Sequence, residues 1–297
     1  MSPSASKEAM ILYRKGERYR QFGELSAAEE ALVAAVEEDS AFAEAWNLLG
    51  LVYQQAWDLE KARRSFIKAA NLKPQWIEPL LHLGMLEFSM GLYDEAFDTL
   101  QKYSNVGGED LEALLTFAKA ASHLGKCKAV LKITSRVLDI DDDIYEAWEL
   151  RGICQAKTSR YNAACISLNM AIELHPGSLI ALNMVGSLCY EAGNYERACD
   201  FYRSSLDYDE NQPEIIFRYG TSLWFVERWI DAVPYLETYT ISTPEDPRGW
   251  NNLGVVLREK GEVKRAMECY NRALVLDPGL EITLRNMGTA KAMQMLL

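Results

Sequence analysis

A small residue recurs every 34 positions along almost the whole chain, and this spacing constrains the fold more than any other feature. With the 297 residues laid against themselves from Ala9, cuts fall at 9, 43, 77, 111, 145, 179, 213, 247 and 281 without insertion or deletion. The eighth place of each unit holds Gly16, Gly50, Gly84, Ala118, Gly152, Gly186, Gly220, Gly254 and Gly288. The fourth holds Leu12, Trp46, Leu80, Leu114, Trp148, Leu182, Ile216, Trp250 and Leu284, all large and apolar. Alanine or valine fills the twentieth, from Ala28 to Ala266, and Pro74, Pro176, Pro244 and Pro278 stand at the thirty-second. A fixed period of this length marks a stacked array of small units, each too small to bury its own apolar face.

Each unit reads as two helices. Trp46, Leu49 and Tyr53 are three and four residues apart and share one helical face, and after Trp57-Asp58 a second face carries Ala62, Phe66 and Ala69. Pro74 ends the second helix, because proline cannot continue one. Glycine inside a helix costs about 1 kcal/mol relative to alanine, so its recurrence implies a gain in packing. The expected gain is close approach of the two helices at Gly50 and Ala62.

These residues resemble the tetratricopeptide repeat, W-x2-L-G-x2-Y followed by A-x3-F-x2-A and a proline. Unit 43–76 matches at Trp46, Leu49, Gly50, Tyr53, Ala62, Phe66, Ala69 and Pro74. Unit 247–280 matches at Trp250, Leu253, Gly254, Ala266, Tyr270, Ala273 and Pro278. The resemblance implies an all-α, right-handed superhelical solenoid of antiparallel helix pairs. It divides the chain into a leader at 1–8, eight repeats over 9–280 and a capping helix at 281–297, with no linker and no second domain. The ending Met293, Met295, Leu296, Leu297 is apolar for a cap and suggests a fold-back, self-association or a boundary within a longer protein.

Charge and composition narrow the function. The net charge of -12 disfavours a phosphate backbone and an anionic membrane surface, so no nucleic-acid or membrane partner is expected. No stretch approaches the ~18 apolar residues of a membrane span, and residues 1–20 lack the apolar core of a secretory signal. Six cysteines form no CxxC pair and three histidines stand singly, so no metal or cofactor is expected and the thiols read as reduced and cytoplasmic. Phosphate-loop, nucleophile-elbow and zinc-protease motifs are missing. Asp139, Asp141, Asp142 and Asp143 read as a solvated inter-repeat turn, since a calcium loop would need alternating ligands, a glycine and a closing glutamate. No catalysis is expected.

By the resemblance, places 2, 5, 6, 9, 12 and 13 of the first helices line a concave groove. The third and fourth units offer Leu81, His82, Met85, Phe88, Leu115 and Lys119 there; the sixth and seventh offer Asn183, Tyr190, Phe217, Arg218, Thr221, Trp224 and Phe225. Trp224-Phe225 replaces pairs such as Gln54-Gln55, and aromatics beside an arginine suit a peptide or helix hot spot. Packing of Trp224 or Phe225 as core is the competing expectation. Glutamates at place 2 (Glu44, Glu78, Glu112, Glu146, Glu214) complement helix dipoles or form a ladder for a basic partner. At place 6 only Asn252 and Asn286 follow the asparagine ladder of O-linked glycosyltransferase arrays, and the lysine–asparagine pattern of chaperone-tail clamps is missing.

Two units depart from the pattern. Pro234, with Thr238, Thr240, Ile241 and Thr243 behind it, predicts a short or kinked helix near 230–241. Ala118, Val130, Thr134 and Asp142 make the fourth unit a candidate soft joint, or the product of neutral drift. The expected function is a protein-binding scaffold, adaptor or chaperone-like assembly factor taking a basic or amphipathic peptide or helix. The alternatives are a self-assembling protein that forms homo-oligomers through its C-terminal helix, and the targeting arm of an enzyme whose catalytic domain lies elsewhere.

Overall fold

The computed structural model describes residues 6–296, and among these every regular element is a helix. The expected leader lies mostly outside them, and so does Leu297. Contacts divide the chain into two compact units, one ending at Thr158 and the other starting at Ser159.

The first unit holds α1 (Lys7–Gln21), α2 (Leu25–Glu38), α3 (Ala43–Gln55), α4 (Leu59–Leu72), α5 (Ile77–Ser89), α6 (Tyr93–Asn105), α7 (Leu111–His123), α8 (Cys127–Ile140) and α9 (Tyr145–Lys157). The second holds α10 (Tyr161–Leu174), α11 (Leu179–Glu191), α12 (Tyr195–Tyr208), α13 (Pro213–Phe225), α14 (Trp229–Ser242), α15 (Pro247–Glu259), α16 (Val263–Leu276) and α17 (Glu281–Leu296). Within each unit, odd-numbered first helices pair with the even-numbered helices that follow, and each second helix then packs on the next first helix.

The glycine at place 8 does more than let the backbones approach at the place-20 alanine, where a Cβ on Gly16 would lie 3.3 Å from the Ala28 carbonyl oxygen. A Cβ on Gly50 would lie 2.5 Å from Cε1 of Phe66. The same place-24 side chain crowds the glycine in other pairs: Leu32 at Gly16, Leu100 at Gly84, Tyr202 at Gly186, Leu236 at Gly220 and Tyr270 at Gly254. These side chains are among the largest fully buried ones. Each contributes roughly 1.5–3 kcal/mol by burial, which outweighs the helix cost of the glycine. The fourth unit keeps the geometry by exchanging sizes: Ala118 takes the glycine's place, and the position opposite by register is Thr134, fully buried with its hydroxyl donating to Val130 O at 2.8 Å. Ala118 and Val130 belong to one core cluster, so the departures from pattern are a compensated pair within regular helices.

Two turns are equally periodic. Place 15, between the paired helices, has a left-handed backbone at Gly23, Gly91, Gly125, Gly193 and Gly261, and also at Trp57, Ser159 and Glu227. The chain must reverse there within two residues, and glycine does so without a Cβ clash. Between repeats, Asp39, Asp141, Asp209 and Asp277 each accept the amide N–H two residues on through Oδ1, at 2.9–3.0 Å. Asp141 thus holds its own turn. The indoles of Trp46, Trp148 and Trp250 donate to the carbonyls of Ser40, Asp142 and Pro244 at 2.8–3.0 Å, fastening each turn to the helix that follows.

Of the short or kinked helix expected at Pro234, the shortening is corrected. Helix α14 runs over 14 residues, like α12 and α16, with Pro234 inside it. Pro234 is exposed, and the carbonyl it leaves without an N–H belongs to Ile230, itself exposed, where water can serve it. The Thr238 hydroxyl donates to Pro234 O at 2.8 Å.

Candidate functional site

In the second unit the first helices α11, α13, α15 and α17 bring most of the expected residues to one face. Place 12 of α11 is Tyr190 and place 13 of α13 is Phe225. A residue outside the expected set, Tyr195 at the start of α12, joins them: its ring stacks on Phe225 at 4.0 Å and 7°, and Tyr190 meets both edge-on at 5.3 and 6.2 Å. Trp224 tilts against Phe225 at 4.5 Å. Trp224 is half-buried and Phe225 keeps 41% of its surface, so the pair is packed on one side and open on the other. Arg218 lies 5.8 Å from the centre of the Tyr190 ring while its Nε donates to Glu214 at 3.2 Å. Phe217 packs on Tyr239 at 4.8 Å and is covered by Arg248, 5.1 Å from its ring centre. Asn183 is turned inward, donating to Gln212 Oε1 at 2.7 Å.

Trp224 also walls a cavity of about 130 Å³ whose other sides are Leu236, Val255, Val256, Arg258 and Ile282. Amides line it in a continuous chain. Thr283 Oγ1 and Asn286 Nδ2 donate to Asn251 Oδ1 at 2.9 and 3.0 Å. Asn251 Nδ2 donates to Asn252 Oδ1 at 3.0 Å, and Asn252 Nδ2 to Thr221 Oγ1 at 3.1 Å. The hydroxyl of buried Thr221 donates in turn to Phe217 O at 2.8 Å. Each amide has two donors and two lone pairs, so this chain fixes the side chains and leaves bonding capacity over. Asn251 and the joining of Asn252 to Asn286 were missed in the sequence; the signal was the Asn251-Asn252 doublet followed 34 residues later by Asn286.

In the first unit the expected residues Leu81, His82, Met85, Phe88, Leu115 and Lys119 are all half-buried. Leu81, Met85, Phe88 and Leu115 lean on the core of α5–α8. His82 lies 5.3 Å from the Phe66 ring, with Nδ1 3.2 Å from Asn47 Oδ1. Burial pushes its pKa down, against the upward pull of Glu78 and with a further downward push from Arg20. Lys119 pairs with Glu146 at 3.9 Å. Phe88, Tyr93 and His123 repeat the other unit's aromatic arrangement at the same places: Tyr93 stacks on His123 at 4.1 Å and 2°, with Phe88 at 5.5 and 6.1 Å.

Of the place-2 glutamates, Glu44 pairs with Lys73, Glu146 with Lys119, and Glu214 with Arg218 and Arg248. These charges are engaged with neighbours as well as with their helix dipoles, which weakens them as a free acidic ladder. Among the described residues no group of acidic, histidine or cysteine side chains is arranged to hold a metal ion, and no helix is long and apolar enough to cross a membrane. All six cysteines are free thiols.

Residues 43–76, 181–214 and 247–280 each match the family described as Tetratricopeptide repeat. Curated relatives include the human Protein O-mannosyl-transferase TMTC1, 21% identical over 242 residues, covering 80% of this chain and 24% of that protein. Bovine BBSome complex member BBS4 is 22% identical over 237 residues, covering 77% and 44%. The human PEX5-related protein is 24% identical over 261 residues, covering 84% and 38%. The chain therefore spans less than half the length of each of these relatives. Among solved structures, YrrB, described as a TPR protein with an unusual peptide-binding site, aligns with a TM-score of 0.57 at 21% identity over 63% of this chain and 97% of that one. MamA aligns with 0.52 at 20% identity, over 55% and 95%. At these identities the structural likeness speaks for the fold.

Proposed function

The chain is a tetratricopeptide-repeat protein, and from that premise we propose that it is a protein-interaction scaffold without catalysis of its own, holding a peptide or helix of a partner along the first helices α11–α17. The observation that carries this reading is the double role of Trp224. Its indole borders the half-open aromatic cluster on one side and the amide-lined cavity on the other. An apolar side chain of the partner would seat against Phe225 and Trp224, and the amides of Asn252 and Asn286 would take its backbone groups. The matching arrangement of Phe88, Tyr93 and His123 supports a second contact region in the first unit. The six free thiols fit a reducing compartment such as the cytoplasm.

The test uses peptides selected from a random display library against the wild-type chain. Phe217→Ala/Trp224→Ala should weaken them at least tenfold with the helical circular dichroism retained. If the double variant unfolds instead, or binds unchanged, the site is core or lies elsewhere.

A second reading, self-association through α17, is favoured by the exposure of Ile282, Leu284, Met293 and Met295. Light scattering of Leu284→Glu against wild type separates it from the first: only self-association through this helix predicts a smaller particle for the variant. The transferase named among the relatives supports a third, in which the array is the targeting arm of a larger enzyme.

A further inference from the structure

The face of α1 opposite to its contact with α2 has a defined counterpart in the rest of the fold. In α3 the equivalent positions, Ala45, Leu49 and Val52, are buried in one cluster with Leu32, Ala35 and Val36 of α2. In every later first helix the residue equivalent to Ile11 is buried. On α1 this face is open and unlike the others. Ile11 is 67% exposed and Phe22 is 75% exposed, about 16 Å apart along the helix. Between them, on the same side, stand Arg14, Lys15 and Arg18. Together with Tyr19 and Glu24 these side chains line a groove of about 630 Å³.

Among the described residues none of the three cations forms an ion pair; Lys15 lies only over the Tyr19 ring, at 5.6 Å. The chain carries 43 acidic against 31 basic side chains, so three unpaired cations grouped around two exposed apolar anchors are a local reversal of its charge. Ordinary solvent exposure would account for the cations but not for an isoleucine and a phenylalanine standing out beside them. Elsewhere in the array this face is covered by a helix.

We propose that the outer face of α1 is a docking site, separate from the groove of α11–α17, for an acidic amphipathic helix of a partner protein. Two apolar side chains of that helix cover Ile11 and Phe22. Its carboxylates, one turn to either side of the apolar stripe, pair with Arg14, Lys15 and Arg18. The arginines suit carboxylates because a guanidinium binds them with two parallel hydrogen bonds. The attraction adds to the apolar contact and weakens with salt.

The experiment measures fluorescence anisotropy of two labelled 18-residue amphipathic helical peptides with the same apolar face, one flanked by glutamates and one by lysines. Full-length chain should bind the acidic peptide at least tenfold more tightly than the basic one. Arg14→Glu/Arg18→Glu should reverse that preference, and Ile11→Ala/Phe22→Ala should weaken both peptides. Because all four side chains are exposed, thermal melts should match wild type, and a Lys15→Glu single variant gives the same reading on a smaller scale. Phe217→Ala/Trp224→Ala should leave the acidic peptide's affinity unchanged, which keeps this result independent of the groove. Equal binding of both peptides, no binding, or a preference that survives charge reversal would overturn the proposal. So would a dimer in light scattering that Arg14→Glu/Arg18→Glu abolishes, since the occupant would then be a second copy.

Discussion

Gly50 and Phe66 interlock: the phenyl ring fills the space where a side chain on residue 50 would begin, with Cε1 2.5 Å from the Cβ position. The contact joins the two helices of one repeat and recurs with leucine or tyrosine as the large partner. Gly50→Ala should therefore destabilise the chain by about 1–3 kcal/mol, the usual cost of overpacking, even though alanine is the better helix former. Urea unfolding checks this; an unchanged or raised midpoint for Gly50→Ala would mean that the glycine is not held by the ring.

A buried carboxylate ties α4, α5 and α6 together. Glu87, 2% exposed, accepts from Arg63 Nε at 3.0 Å and from Thr99 Oγ1 at 2.8 Å. Removing one partner leaves the charge uncompensated, whereas removing the charge does not. Arg63→Ala should cost about 2–3 kcal/mol and Glu87→Leu clearly less. A thermal melt ranking the two the other way would show that the pair is worth its Coulomb attraction.

The acid limb of stability should report His82. Burial lowers its pKa in the folded chain, so below about 6.5 the unfolded chain binds the proton more readily. Stability is therefore fully present above that pH, falls as the pH drops through it, and levels off below the folded value. His82→Gln should flatten this part of the curve. Denaturation midpoints between pH 5 and 8 would decide it, and an unchanged slope would place the effect elsewhere.

Trp57 holds a left-handed backbone at φ 61° and is 84% exposed. Five of its equivalents are glycines. Trp57→Gly should stabilise by up to about 1 kcal/mol, since the strained Cβ is removed and little packing is lost. A destabilised variant would show that the indole makes contacts worth more than the strain.

The hydroxyl of Tyr270 is buried and, among the described residues, has no hydrogen-bond partner. Burial pushes its pKa up to about 12. Tyr270→Phe should raise stability by about 1 kcal/mol, because an unsatisfied polar group is removed at constant shape. It should also soften the loss of stability above pH ~10, where the unfolded phenol ionises before the folded one. A calorimetric melt at pH 7 and pH 10.5 tests both.

The 34-residue register, the pairing of helices and the place of each glycine were legible because they repeat, and eight helix pairs average out single exceptions. Individual exceptions were not. Pro234 broke a local rule, yet α14 continues past it, since the orphaned carbonyl sits at the surface. Trp57, Ser159 and Glu227 take the left-handed conformation of the five equivalent glycines, which their residue types do not signal.

The amino-acid sequence by itself determined that helices form, where they start and which face of each is buried, because those properties depend on residues three to eight positions apart. Only the tertiary structure decided which side chains meet at the candidate site. Tyr195 reaches Phe225 across 30 positions, and Thr283 reaches Asn251 across 32, by the stacking of one repeat on the next. The single-repeat pattern contains no term for that contact, so the sequence could name the face but not the cluster within it.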